Sequence, residues 1–149
     1  MRAAITTALK DAMKAGDKVR TGTLRLVNAA IKDKDILNRG SGRDEASDDE
    51  IVQILLKMTK QREESAKIYA DNGRPELAGK EREEIAVIAG FLPQQMDEAG
   101  AEAAIAVVIA DLGAAGMKDM GRVMTALKER HAGQMDFGKA NGVVKRLLS

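Results

Sequence analysis

Few residues in this chain have the types and spacing that catalysis requires. The 149 residues include one histidine, His131, and no cysteine, which excludes a cysteine nucleophile and a cysteine-based metal site. His131 continues an apolar stripe of helical spacing, which favours a partly buried structural role near a helix end over general-base chemistry. The four serines lack an orienting base in a recognisable motif. We therefore predict no catalytic residue, no metal site, no cofactor and no intrinsic enzymatic activity.

Cations are the second group of residues that can bind a ligand, and they concentrate near the carboxyl end. Residues 93–117 contain four acids and no base, whereas residues 118–149 contain seven bases and three acids, so the later segment has a formal charge of +4 in a chain of +1. Such a segment attracts an anionic polymer such as RNA, although a solvated helix face shows the same pattern. The candidate nucleic-acid-binding residues are Lys118, Arg122, Lys128, Arg130, Lys139, Lys145 and Arg146.

Helical spacing and the scarcity of aromatic residues restrict how these cations would bind RNA. On a helical wheel Lys118 and Arg122 lie opposite a methionine stripe, and Lys139 and Arg146 lie opposite a second apolar stripe, so all four are expected to face water. Three aromatic residues in the whole chain are too few for a base-stacking platform. Recognition of the phosphate backbone and of folded shape is the remaining mode.

The elements that must position these cations are helices, because the composition favours helix formers over β-branched and aromatic residues. A first helix is predicted over 3–15, with Gly16 as its stop, and a second follows Asp17 as N-cap and continues to about residue 38. Residues 39–46 have no periodicity and are expected to form a mobile loop. Ser47 and Glu50 match a capping box that opens a third helix, which ends at 72–73, and Pro75 begins a fourth.

A joint at 93–97 divides the chain into two predicted lobes, 1–93 and 94–149. The second lobe is predicted to hold three helices: one between Asp97 and Gly113, one with a stripe of Met117, Met120, Met124 and Leu127, and one with Phe137, Val144 and Leu148. Gly121 interrupts the methionine-bearing helix, where close packing of another helix or close approach of a ligand would explain a residue that disfavours helix. Packing is the preferred explanation.

No segment predicts insertion into a membrane. The longest apolar run has eight residues, 103–110, far below the roughly 20 that a membrane-spanning helix needs. The first 15 residues alternate charged and apolar side chains and lack the apolar core of a signal peptide. We therefore expect a cytoplasmic protein without a membrane partner.

Three separated blocks resemble the YqeY family. They are LRLVNAAIKDKDI (24–36), KQREESAKIYADNGRPELAGKEREEIAVIAGFLPQQM (60–96) and MKDMGRVMTALK (117–128). The resemblance implies an all-α protein whose N-terminal lobe of long amphipathic helices precedes a three-helix lobe similar to the tail domain of GatB, the B subunit of the tRNA-dependent amidotransferase. In the amidotransferase this tail holds tRNA.

The family resemblance also implies a function. It implies an accessory tRNA-binding protein of aminoacyl-tRNA metabolism, with tRNA as partner and an aminoacyl-tRNA synthetase or amidotransferase as a further partner. Lys118 and Arg122 lie in the motif shared with the amidotransferase tail and become the best candidates for phosphate contacts. A label of carbon–nitrogen ligase with glutamine as amido-N-donor follows by kinship, but the amidotransferase's catalytic parts lie outside its tail and have no counterpart here.

Two other functions remain open at this point. In one, the chain is a helical protein–protein interaction module without RNA binding, and its long helices or methionine-rich face dock a partner. In the other, the chain is itself the ligase. Retention of a protein partner after RNase treatment would favour the first, and amidation of mischarged tRNA by the isolated chain would favour the second.

Overall fold

The computed structural model describes residues 1–149 and is all α-helical, as the sequence predicted. Seven α-helices and one 3₁₀ turn, with no strand, account for its regular structure. In chain order they are α1 (Arg2–Ala15), α2 (Lys18–Gly40), α3 (Asp48–Asp71), α4 (Pro75–Ala89), α5 (Glu98–Leu112), the 3₁₀ turn (Met117–Asp119), α6 (Met120–Arg130) and α7 (Phe137–Leu148). The helices group into two compact units, Met1–Leu92 and Pro93–Ser149, which we call the N-terminal unit and the C-terminal unit.

The helix ends follow the local signals in the sequence. Gly16 adopts a left-handed conformation, with φ of 69°, after α1, and the Asp17 side chain accepts a hydrogen bond from the Arg20 backbone N–H at the start of α2. Ser47 and Glu50 form the predicted capping box at the start of α3. Capping groups satisfy backbone N–H groups that a helix leaves without partners, which explains why these boundaries were predictable.

The N-terminal unit packs helices α1 to α4 around an aliphatic core. Helix α3 packs along α4, and α2 contacts α1, α3 and α4. The side chains buried in this core are Ile5, Leu24, Val27, Ile31, Ala46, Ile51, Leu55, Met58 and Ile88.

The structure departs from the sequence pattern in two places of the N-terminal unit. Ile68 is an apolar residue of α3, but its side chain is exposed whereas Ala66 is buried. Residues two apart on a helix point about 200° apart, so burying Ala66 turns Ile68 toward solvent. The loop predicted over 39–46 is present as residues 41–47, because α2 continues to Gly40 and α3 begins at Asp48, and its Ala46 belongs to the core.

The C-terminal unit packs α5, α6 and α7 against one another around a second core. The residues buried in it are Ile105, Val108, Val123, Leu127, Met135, Ala140, Val144 and Leu148. Asp97 caps α5 by accepting the Gly100 N–H, and Gly113 ends α5 with φ of 62°, both as predicted. The core face of α6 is centred on Val123 and Leu127 rather than on the predicted methionines.

Candidate nucleic-acid interface

All seven candidate cations lie at the surface of the C-terminal unit. The 3₁₀ turn carries Lys118, and the inward direction of Val123 and Leu127 on α6 and of Ala140 and Val144 on α7 leaves the basic positions outside the core. The predicted exposure of Lys118, Arg122, Lys139 and Arg146 is confirmed. The other three, Lys128, Arg130 and Lys145, are exposed as well.

The turn that carries Lys118 is held by Asp119. Its Oδ2 accepts a hydrogen bond from the Ala115 backbone N–H at 3.0 Å, and its Oδ1 accepts one from Arg122 Nη2 at 3.0 Å. The Ala115 N–H first, and the Arg122 guanidinium second, hold the pKa of Asp119 below its usual range. Because hydrogen bonds to the charged form favour ionisation, Asp119 is a fixed anion between Lys118 and Arg122.

Two further arginines pair with acids of α5. Arg130 Nη1 lies 2.7 Å from Asp111 Oδ2, and Arg146 Nη2 lies 2.8 Å from Glu102 Oε1. The acidic segment and the basic segment of the sequence therefore meet within one folded unit. Over Pro93–Ser149 seven acids balance seven bases, so the +4 charge of residues 118–149 does not describe the unit as a whole.

The three arginines among the seven candidates have anionic partners within the unit. Their guanidinium groups bind carboxylates of Asp119, Asp111 and Glu102, because folding brings α5 against α6 and α7. Four exposed lysines take part in none of these ion pairs: Lys118, Lys128, Lys139 and Lys145. We call these four the free lysines.

Gly121 lies between Lys118 and Arg122 in open surroundings. Its residue is exposed, and a Cβ atom built on it would meet no heavy atom within 4 Å. No neighbouring helix packs against it, so the preferred explanation, close helix packing, was wrong. The remaining explanation from the sequence is close approach of a ligand, and Gly121 leaves backbone uncovered between two cations.

Other candidate groups play structural roles. His131 is half-buried directly after α6, and its Nδ1 lies 3.1 Å from Gln134 Oε1, which matches the predicted role at a helix end. Met120 and Met124 are partly buried against the core of the C-terminal unit, whereas Met117 is exposed. No three His, Asp or Glu side chains are arranged to hold a metal ion.

The charged groups of the N-terminal unit include one network that sequence reasoning missed. Arg2 donates from Nη1 to Asp35 Oδ2 at 2.9 Å and from Nη2 to the Ala46 carbonyl at 3.1 Å, while Asp35 Oδ1 accepts the Ala46 N–H at 2.7 Å. The loop predicted to be mobile is thereby tied to α1 and α2 at its end. No local pattern signals a pair separated by 33 residues, apart from the position of Asp35 on the buried face of α2.

A shallow groove of about 340 Å³ lies between α2 and α3 in the N-terminal unit. Its floor is apolar and its rim carries Asp33, Lys34, Lys57 and Gln61. Leu37 lines the groove and is 62% exposed. The sequence analysis had named the methionine-rich face as a possible docking surface. It had not identified this groove, which is a second apolar surface.

Comparison with known proteins assigns the family. The sequence profile of the family described as YqeY, Yqey-like protein, matches residues 2–148. The chain belongs to the YqeY family. This confirms the resemblance drawn from the three motif blocks and covers both units.

Curated relatives of this YqeY-family chain come from yeasts. Altered inheritance of mitochondria protein 41, mitochondrial, from Vanderwaltozyma polyspora is 34% identical over 96 residues, covering 60% of this chain and 50% of the relative. The protein of the same name from Saccharomyces cerevisiae is 33% identical over 86 residues, covering 58% and 45%. The one from Lachancea thermotolerans is 34% identical over 86 residues, covering 58% and 44%. The chain thus spans about half the length of these relatives.

The relatives' names place those proteins in mitochondria, and the cytoplasmic location expected for this chain stays a prediction. None of the helices, taken alone, has the length and hydropathy that a membrane span requires. By length and composition alone, one bent pair meets the requirement, Glu98–Leu112 with Met117–Arg130, across an angle of 97°.

Proposed function

We propose that this YqeY-family chain is an accessory tRNA-binding protein that acts in aminoacyl-tRNA metabolism through its C-terminal unit. The observation that carries the proposal is the set of four free lysines on the 3₁₀ turn, α6 and α7. The similarity of this unit to the tail of the amidotransferase, centred on residues 117–124, supplies the identity of the RNA. The proposed further partner is an aminoacyl-tRNA synthetase or the amidotransferase itself.

The proposed contacts are with the phosphate backbone. Lysine ammonium groups on flexible stems neutralise phosphates and release counterions, so binding strength falls steeply with salt. Base stacking is not expected in the C-terminal unit, because Phe137 is its one aromatic residue and packs against the core. We therefore expect tRNA to be recognised by charge and shape, with weak dependence on base sequence.

The test replaces the four free lysines together by glutamine: Lys118→Gln, Lys128→Gln, Lys139→Gln and Lys145→Gln. Binding to total tRNA is measured over a series of salt concentrations. At about 0.1 M salt the affinity is expected to fall on the order of 100-fold, and the slope of log affinity against log salt to flatten by about 3 to 4.

The matched control removes the same number of positive charges from the N-terminal unit. Lys10, Lys14, Lys18 and Lys67 are exposed lysines of that unit, and their joint replacement by glutamine is expected to change affinity less than about fivefold, since it removes none of the proposed phosphate contacts. Equal losses in the two quadruple variants, or an absence of tRNA binding by the unaltered protein at low salt, would contradict the proposal.

A second candidate function, a protein-docking module, is favoured by the groove between α2 and α3. Its proposed occupant is an amphipathic helix of a partner protein, which would cover the exposed Leu37. In pull-downs treated with RNase, one defined partner should be retained by the unaltered chain and by the lysine variant but lost from Leu37→Glu. Loss from the lysine variant alone would favour the tRNA function instead.

Neither proposed function includes the ligase activity that the family resemblance implies. We expect no glutamine-dependent amidation of mischarged tRNA by the isolated chain. A measurable rate with this chain as the sole protein would contradict that expectation.

A further inference from the structure

The arginines of the C-terminal unit differ from its free lysines in having anionic partners within the unit. Arg130 and Arg146 each bind an acid of α5, Asp111 and Glu102 respectively, at 2.7 and 2.8 Å. The two acids lie nine residues apart on one helix, and the two arginines come from different helices, α6 and α7. Helix α5 thus supplies carboxylates to both of the cationic helices.

Both pairs have the properties of reversible contacts. The side chains in them are between 43% and 61% exposed, and exposed ion pairs contribute at most about 1 kcal/mol to folding. Breaking them therefore costs the fold little. Asp119 is different, because its side chain is only 15% exposed and also accepts a backbone N–H, which makes it part of the turn.

A carboxylate and a phosphate compete for the same face of a guanidinium group. Both ligands accept two N–H donors from the planar fork of arginine. An arginine that is bound through one Nη nitrogen to Asp111 or Glu102 has part of its charge neutralised, so a phosphate must either displace the carboxylate or bind beside its negative charge. An anion that binds it therefore gains only the difference between the two interactions.

We propose that α5 is an electrostatic cover, in which Glu102 and Asp111 compete with RNA phosphates for Arg146 and Arg130 and so lower the affinity of the C-terminal unit for polyanions. This inference rests on the tRNA-binding function proposed above. It divides the seven cations into four free lysines that establish binding, two covered arginines that adjust its strength, and Arg122, which pairs with Asp119 of the turn. A cationic partner that binds Glu102 and Asp111, or a change that neutralises these two acids, would then release the two arginines and strengthen RNA binding.

The test removes the cover without removing a cation. In Glu102→Gln/Asp111→Asn, affinity for total tRNA at about 0.1 M salt is expected to rise about tenfold, and the salt dependence to steepen by 1 to 2 in slope, because two arginines gain phosphate contacts. Far-ultraviolet circular dichroism checks that the fold is unchanged. Adding Arg130→Gln/Arg146→Gln to the same chain should abolish the gain.

The matched control is Glu98→Gln/Glu129→Gln, which removes two negative charges from the same unit. Glu98 and Glu129 are exposed and take part in none of the three arginine pairs. A change of less than about threefold is expected from this control, because it alters net charge without freeing an arginine.

Three outcomes would overturn the cover. They are an equal gain in the control, a gain that persists without the two arginines, and no gain in Glu102→Gln/Asp111→Asn while the unaltered protein binds tRNA. The third outcome leaves the proposed function standing and removes only the cover. Absence of tRNA binding by both the unaltered protein and the cover variant removes the two proposals together.

Discussion

The two units of this YqeY-family protein use charged side chains in different ways. In the N-terminal unit Arg62 Nε donates to Glu84 Oε2 at 2.9 Å between α3 and α4, and the two side chains are only 12% and 18% exposed. In the C-terminal unit the arginines of all three pairs remain well exposed. The first arrangement ties helices together, whereas the second leaves cations within reach of a ligand. Charged residues therefore serve folding in one unit and, by our proposal, binding in the other.

The largest expected difference between the units concerns the loss of one arginine. Arg62→Met leaves Glu84 partly buried without its cation and removes the hydrogen bond from Nη1 to the Met58 carbonyl; we expect it to lower the free energy of unfolding by about 2 to 3 kcal/mol. Arg146→Met breaks an exposed pair and should cost less than about 1 kcal/mol. Urea unfolding of both variants measures these losses in the free energy of unfolding. Equal losses would contradict the difference that we infer between the two units.

A smaller difference is expected in the response to acid. Hydrogen bonds from Arg2 first, and from the Ala46 N–H second, hold the pKa of Asp35 below its ordinary value of 3.8. The folded state thus favours the charged form, and this stabilisation is complete above pH 3.8 and is lost as the pH falls through the lowered pKa.

Asp35→Asn should therefore lower the melting temperature more at pH 7 than at pH 3. Glu102→Gln serves as the comparison from the C-terminal unit, where the acid lies in an exposed pair, and its effect should be small at both pH values. Thermal unfolding at the two pH values measures this, and a loss in Asp35→Asn that does not depend on pH would refute the assignment.

The smallest expected effect comes from glycine replacements. Gly121→Ala adds a methyl group in open space and should stabilise α6 by about 0.5 kcal/mol, because alanine loses less backbone entropy in a helix. Gly16→Ala, in the N-terminal unit, places a side chain at φ of 69° and should destabilise by about 1 kcal/mol. Thermal unfolding distinguishes the two, and destabilisation by Gly121→Ala would mean that this position is crowded.

Local signals in the sequence predicted the helices of both units. The sequence did not predict the ion pairs between residues that are far apart along the chain. The capping box at Ser47 and the helix end at Gly113 depend on residues within one helical turn, so a short stretch of sequence is enough to predict them. The partnership of Glu102 with Arg146 joins residues 44 positions apart and depends on how α5 packs against α7. The charge segregation was visible in the sequence, but its partial cancellation required the fold.

The central claim is that the free lysines of the C-terminal unit form the anion-binding surface. Chemical acetylation of lysines, followed by mass spectrometry with and without bound tRNA, tests it directly on the unaltered protein. We predict that tRNA protects Lys118, Lys128, Lys139 and Lys145 and leaves Lys10, Lys14, Lys18 and Lys67 as reactive as before. Protection confined to the lysines of the N-terminal unit, or no protection anywhere at low salt, would contradict the account.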